Sequence, residues 1–181
     1  MGNPPQLVMR REGFGALPRV RMEFGYLVRT YRPGDAELWC RLAEGNIGKG
    51  WKPERFVKEI LGAPQFDPRG LFFVTFGSRA AGTALAWRAA LEENGTGDFA
   101  AIAVAKHHRG RGVGGFLTVK VLEYLRDAGF SACRLRLDET RLAAVKACLR
   151  IGFRPAFEDG GDRARWQSVL EKLGRPIEHF V

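Results

Sequence analysis

Four glycines within six residues, at 110, 112, 114 and 115, stand where a β-strand pattern gives way to a helical one. The strand pattern ends near Lys106, and the helical repeat of apolar residues begins at Val113. Glycine tolerates positive φ and close backbone approach, so consecutive amides can converge at the positive end of the helix. Such a point suits a diphosphate, and a strand–turn–helix unit of this kind restricts the chain to α/β-type folds.

The composition describes a soluble globular chain of one domain size. It has 181 residues, of which 45% are hydrophobic and 27% charged, and no stretch approaches the roughly 20 apolar residues of a membrane span. Three scattered cysteines are too few for a disulfide framework or a zinc cluster, and the amino end has no signal-peptide pattern. We therefore expect a cytoplasmic protein without a metal. The net charge of +9 favours an anionic ligand.

The chain divides into an arm and a domain. Residues 1–24 are rich in Arg, Gly and Pro without a sustained period and predict a loose or docked basic arm, followed by a single domain over residues 25–181. The domain starts with a strand at 26–31 and two helices near 35–45 and 53–61. Strands at 71–76, 81–88 and 98–106, separated by glycine turns, predict an antiparallel meander.

Beyond the glycine turn the pattern predicts a helix to about residue 129, a strand at 132–138, a helix from 142 to 152 and a closing amphipathic helix around Trp166. A right-handed crossover should make the strands on either side of the first of these helices parallel. The predicted fold class is therefore α/β (α+β), with a mixed, mostly antiparallel central sheet flanked by helices on both faces.

Two familiar phosphate-binding motifs are excluded by their context. A Walker P-loop needs Lys and Ser or Thr after its last glycine, but Phe116 and Leu117 follow Gly115. The spacing Gly110-x-Gly112-x-x-Gly115 formally fits a dinucleotide fingerprint with Asp138 beyond it. That fingerprint belongs in a parallel βαβ unit, whereas this turn follows an antiparallel meander in the middle of the chain.

The segment resembles the acetyl-coenzyme A motif of the GCN5-related N-acetyltransferase (GNAT) family, [Q/R]-x-x-G-x-[G/A], with Arg109-Gly-Arg-Gly112-Val-Gly114 matching at each fixed position. The lead-in Ile102-x-Val104, the later Leu149-Arg-Ile-Gly152-Phe153 and the order of elements also match that family. The resemblance extends over about Tyr26 to Phe157. It implies the GNAT fold and transfer of an acetyl or acyl group from acetyl-CoA to a primary amine of a small molecule or peptide, by direct attack in a ternary complex.

The resemblance also implies a coenzyme site. Main-chain groups of Val104 and Ala105 would pair with the pantetheine arm, and the turn would hold the diphosphate, in a splay between the strands before and after the next helix. The Val104 amide would polarise the thioester carbonyl. The implied cofactor-binding residues are Val104, Ala105, Arg109, Gly110, Arg111, Gly112, Val113, Gly114 and Gly115. A non-catalytic coenzyme A sensor of the same fold is the alternative.

The proton-transfer residues are less typical of the family. Counting back by twos from Val104 places Asp98 on the same strand face, where histone-type members carry their base glutamate; Asp98 is the candidate base, or else a solvated residue after a turn. Cys148 stands where family members often have a tyrosine that acts as the acid. It is either the candidate acid or a buried core residue. Glu93 and Glu139 are weaker candidates for the base. Arg141 replaces a frequent asparagine; it binds either a phosphate or the acceptor, or is an exposed helix residue without a function.

The acceptor amine is expected to meet the two helices before the meander, near Trp39 and Trp51. The adjacent His107 and His108 point apart and have no third ligand, so no metal site is expected. Basic residues are spread along the chain without a recognition module, so nucleic acid is not an expected partner, and no membrane partner is expected either. The helix around Trp166 either packs on the core or forms the surface of a homodimer.

Overall fold

The computed structural model describes residues 6–88 and 95–180, and its framework is one seven-stranded mixed sheet. The helices and strands are, in chain order, β1 (Leu7–Glu12), β2 (Tyr26–Thr30), α1 (Ala36–Ala43), α2 (Pro53–Phe56), β3 (Leu71–Phe76), β4 (Arg79–Trp87), β5 (Thr96–Val104), α3 (Val113–Asp127), β6 (Ala132–Leu137), α4 (Leu142–Ile151), β7 (Arg154–Ala156) and α5 (Asp162–Lys172). A π-helical segment, Val57–Leu61, continues α2. The strands lie side by side in the order β2-β3-β4-β5-β6-β1-β7.

The pairing confirms the predicted fold class. Strands β2 to β5 are paired antiparallel in succession, and β5 and β6 are parallel with α3 as their crossover. Hairpin-length connections favour antiparallel neighbours, whereas parallel neighbours need a longer crossover such as a helix. The predicted turn over residues 92–97 lies only partly within the described residues, since 89–94 fall outside them.

The predicted basic arm contains a β-strand within the residues that the structure describes. Residues Leu7, Val8 and Met9 are buried in β1, which lies between β6 and β7 and is antiparallel to both. A six-residue segment has too few alternating positions to be recognised as a strand when its partners lie more than 120 residues away. The domain boundary at residues 24–25 stays a prediction.

The sheet divides the apolar interior into two cores. The first core lies between the sheet and helices α3, α4 and α5, and includes Leu117, Leu149 and the fully buried Trp166. The second core lies under α1 and α2 and includes Trp39 and Phe56. Trp166 therefore packs inside the molecule. In the part of the chain that is described, no helix is long and apolar enough to cross a membrane.

The strands β5 and β6 pair with each other only at their amino-terminal ends. The ladder runs from Thr96↔Ala132 to Phe99↔Leu135, after which β5 continues to Val104 and β6 to Leu137 without pairing with each other. The two strands therefore diverge towards their carboxyl ends. The resulting gap, called the splay below, opens beside the first turn of α3.

The buried position of β1 makes a testable difference to stability. We expect Met9→Ala to lower the free energy of unfolding by about 2–5 kcal/mol, because Met9 is fully buried in the interior of the sheet. Met22→Ala, in the same amino-terminal region but only half-buried and outside the sheet, should cost less than half as much. Urea unfolding of both variants tests this. Equal losses would contradict the placement of β1.

Candidate active site

The glycine turn leads directly from β5 into α3. Gly110 and Gly112 have φ angles of 79° and 81°, and Gly112 is the residue that precedes the first helical residue. A side chain at a left-handed position costs roughly 1–2 kcal/mol, which explains the residue type at both sites. A Cβ at Gly110 would meet open space, whereas one at Gly112 would overlap the carbonyl oxygen of Arg21.

The turn presents a row of unengaged donors. Among the described residues, no main-chain amide from Gly110 to Gly115 donates to a protein acceptor; Phe116 is the next along the chain, and its amide donates to the Gly112 carbonyl at 2.9 Å. These six donors stand at the amino end of a 15-residue helix. Free amides together with the helix dipole form a site of the kind that holds phosphate groups.

Val104 contributes main-chain groups to the splay. The amide of Ala105 donates to Ala81 of β4 at 2.9 Å, and since main-chain directions alternate along a strand, the groups of Val104 point to the opposite edge, towards the splay. The Val104 carbonyl accepts a hydrogen bond from Arg109 Nε at 3.2 Å. The Val104 amide faces the splay.

Ala105 differs from the expectation. Its amide is engaged by Ala81, and its carbonyl accepts from the His108 amide at 2.8 Å. The amide is not free to donate to a ligand, because β4 uses it, whereas the carbonyl oxygen keeps a second lone pair.

Asn46, in the loop after α1, joins the two sides of the splay. Its side-chain oxygen accepts from Arg109 Nη2 at 2.9 Å, and its main-chain carbonyl accepts from Arg141 Nη2 at 2.7 Å. Arg109 follows β5, and Arg141 precedes α4 on the side of β6. The loop is therefore fastened across the carboxyl-end mouth of the splay. No spacing or composition signal marks Asn46 in the sequence.

The surroundings of the turn are electropositive. Burial lowers the pKa of His108, and the nearby cations Arg111, His107 and Arg79 lower it further. The His108 Nδ1 atom is hydrogen-bonded to the Tyr26 hydroxyl at 2.8 Å. Within the described ranges no group of three or more His, Cys, Asp or Glu side chains could hold a metal ion. The charge at this corner suits an anion.

The predicted strand face of Asp98 is wrong. The β4–β5 register shifts between Leu85 and Ala86, so that Leu85 opposes Ala101 but Ala86 opposes Phe99. The extra residue inverts the alternation: Val104 packs towards the first core, whereas Asp98 opposes Trp87, which packs against the second core. Asp98 therefore lies on the face covered by α1 and α2.

The carboxylate of Asp98 is also paired. Its oxygens accept from Arg134 Nε at 2.8 Å and Nη2 at 3.1 Å, across the last paired stretch of β5 and β6. Proton uptake by Asp98 would require part of this ion pair to open. The pair lies at the closed end of the splay, several residues before Val104.

Cys148 is poorly suited to donate a proton. Its side chain packs against the first core, and burial raises the pKa of its thiol to about 12. A free thiol has a pKa near 8.5, so Cys148 would hold its proton more tightly than a departing thiolate would. Of the weaker candidates, Glu139 is paired with Arg165 at 2.8 Å, and Glu93 lies outside the described residues.

Comparison with known proteins finds relatives that are acetyltransferases. The model of the acetyltransferase (GNAT) family matches residues 36–153. Curated relatives include mycothiol acetyltransferases from Tsukamurella paurometabola, 34% identical over 142 residues that cover 71% of this chain and 48% of that protein, and from Mycobacteroides abscessus, 28% identical over 163 residues that cover 85% and 54%. The chain spans about half the length of the curated relatives it matches.

Solved structures share the fold. A GCN5-related N-acetyltransferase from Sphaerobacter thermophilus superposes with a TM-score of 0.71 at 22% identity, covering 84% of this chain and 50% of that one. Another from Kribbella flavida has a TM-score of 0.59 at 16% identity, covering 84% and 55%. At these identities the likeness concerns the fold alone.

Substituting alanine for each of three glycines separates the cost of a left-handed φ from the cost of steric overlap. Gly112→Ala combines a left-handed φ with an overlap on Arg21 and should lower the free energy of unfolding by more than 2 kcal/mol. Gly110→Ala has the unfavourable φ alone and should cost about 1–2 kcal/mol. Gly114→Ala, whose Cβ would lie 3.5 Å from Val104 Cγ2, should cost nothing. Urea unfolding gives the order; a Gly114 variant as unstable as the Gly112 variant would contradict this geometry.

Proposed function

The chain belongs to the GCN5-related N-acetyltransferase family, and on that premise we propose that it transfers an acetyl group from acetyl-CoA to a primary amine of a small molecule or peptide. The observation that carries the proposal is the row of six unengaged amides at the start of α3, next to the free edge of β5. Acetyl-CoA, when bound, supplies an activated acyl thioester. This chain supplies the groups that hold it and the acceptor.

The residues present fit such a ligand. The amides of Gly110 to Gly115 and the guanidinium of Arg111 would hold the diphosphate. The Val104 amide, directed into the splay, would donate to the thioester carbonyl oxygen as negative charge develops there, and removal of such a donor typically costs about 3–4 kcal/mol of transition-state stabilisation. Because Ala105 is engaged elsewhere, the proposal does not include it.

The acceptor would enter on the face of α1 and α2. Asp98 lies on this face beside Trp87, and the loop of Asn46 covers the mouth of the splay there. An alkyl amine with a pKa near 10 is mostly protonated at neutral pH, so a base is useful, and Asp98 is the proposed base. Cys148 is not included, since its buried thiol is too weak an acid.

The identity of the amine is a proposal as well. The curated relatives are named mycothiol acetyltransferases, which makes deacetylated mycothiol a sensible first member of an amine panel. The second function, a coenzyme A sensor without turnover, is favoured by one observation, the engagement of both Asp98 oxygens by Arg134. Release of free coenzyme A thiol with any amine of the panel would exclude the sensor.

A charge placed in the turn tests coenzyme binding. Gly110→Asp and Gly110→Asn insert side chains of the same shape, both tolerant of left-handed φ, into open space. Only aspartate repels a diphosphate. The dissociation constant for acetyl-CoA should therefore be at least about tenfold higher in the Gly110→Asp variant than in the Gly110→Asn variant. Isothermal titration calorimetry measures both. Equal affinities, or no binding by the unmodified chain, would refute the site.

Two substitutions test the proton-transfer roles. Asp98→Asn should lower kcat about 100-fold, because it removes the proposed proton acceptor. Cys148→Ser should leave kcat within about threefold, because a thiol with a pKa near 12 contributes no proton. Thiol release is the assay, with urea unfolding to verify that both variants fold. An unchanged kcat for Asp98→Asn would remove Asp98 from the mechanism.

A further inference from the structure

We propose that residues 16–24, called the strap below, close over the glycine turn, and that Glu23 latches the strap by occupying Arg111. The coenzyme diphosphate would take Arg111 from Glu23 and lift the strap. This inference rests on the proposed function, because the displacing group is the diphosphate of coenzyme A.

The topology sends the strap across the site. Strand β1 ends beside the start of β6, where the Gly13 amide donates to the Ser131 carbonyl at 2.9 Å. Strand β2 begins at the opposite end of the sheet, where Tyr26 is bonded to His108. The two strands are five positions apart in the sheet, about 24 Å. The connection between them therefore crosses the corner where β5 gives way to α3.

The strap has half-buried apolar side chains and exposed charged ones. Val20 and Met22 are half-buried against the first core, as is Leu17. Arg19, Arg21 and Glu23 alternate with them and are exposed. Such alternation fixes which side of the strap meets the protein, but three half-buried apolar side chains form only a shallow attachment. An attachment of this kind can be released without unfolding the sheet.

The strap contacts the turn itself. A Cβ on Gly112 would overlap the Arg21 carbonyl oxygen and lie 3.3 Å from the Met22 Cα, and one on Gly115 would lie 3.1 Å from Val20 Cγ1. The Glu23 amide donates to the Arg111 carbonyl at 3.4 Å. The main chain of the strap therefore passes directly over two of the glycines assigned to the diphosphate.

Electrostatics favours a diphosphate over the Glu23 carboxylate as the partner of Arg111. The Glu23 carboxylate lies 3.2 Å from Arg111 Nη1, and both side chains are about half exposed. An exposed ion pair of this kind is weak, and a diphosphate, with more charge and more acceptor oxygens, is a stronger partner for the same guanidinium. The Glu23 carboxylate and the Arg21 carbonyl oxygen would also repel a diphosphate beside them. Closed strap and bound diphosphate are therefore competing states.

Removing the charge of Glu23 tests the latch. Glu23→Gln keeps the shape of the side chain but weakens its hold on Arg111, so the dissociation constant for coenzyme A should fall about three- to fivefold. The matched control is Glu59→Gln, which removes a comparable exposed pair with Arg55 at 3.0 Å far along the chain and should leave the affinity unchanged. Calorimetric titration gives both values. An unchanged or weaker affinity in Glu23→Gln would overturn the latch.

Limited digestion with trypsin tests the movement. Binding of coenzyme A should raise the rate of cleavage after Arg19 and Arg21 in the strap at least threefold, and lower it after Arg109 and Arg111 in the turn; mass spectrometry separates the sites. Protection of both the turn and the strap would mean that the strap does not move when coenzyme A binds. This result would overturn the latch alone. A turn without protection would overturn the proposed function, and the latch with it.

Discussion

The parting of β5 from β6 after Phe99 and Leu135 is the constraint on which the rest of the structure depends. Two parallel strands that stop pairing leave main-chain donors and acceptors without partners, and buried groups of this kind must be satisfied in another way. The protein satisfies some of them with side chains, as Arg109 does for the Val104 carbonyl. The Val104 amide remains directed into the splay.

Helix α3, which follows β5, adds further main-chain donors that have no partner. Any helix begins with amides that have no partner within the helix, and α3 begins after the unpaired end of β5. The glycines bring further amides to that point, since positive φ at Gly110 and Gly112 turns the chain sharply before the first helical residue. Donors from a strand edge and from a helix terminus are thereby gathered at one corner, next to Arg109 and Arg111.

Local patterns predicted the elements well and their long-range relations less well. The meander, the parallel β5–β6 pair and the turn into α3 follow from apolar periodicity and glycine placement, and the structure agrees with them. Strand β1 was missed because its partners β6 and β7 are remote in sequence. The face of Asp98 was wrong because the irregular register falls in a run of alanines, where residue size does not reveal which side is buried. Engagement of Ala105 and Asn46 depends on tertiary contacts that no spacing rule contains.

The placement of β1 has a consequence for how the polypeptide acquires its structure during synthesis. Leu7 is paired with Leu137, so β1 is synthesised about 130 residues before its partner exists. Contacts between such remote segments close slowly and late. The meander and α3 can assemble beforehand, and the connection that passes over the glycines is then drawn into place last. Nascent chains would thus hold an uncovered glycine turn before they hold a complete sheet.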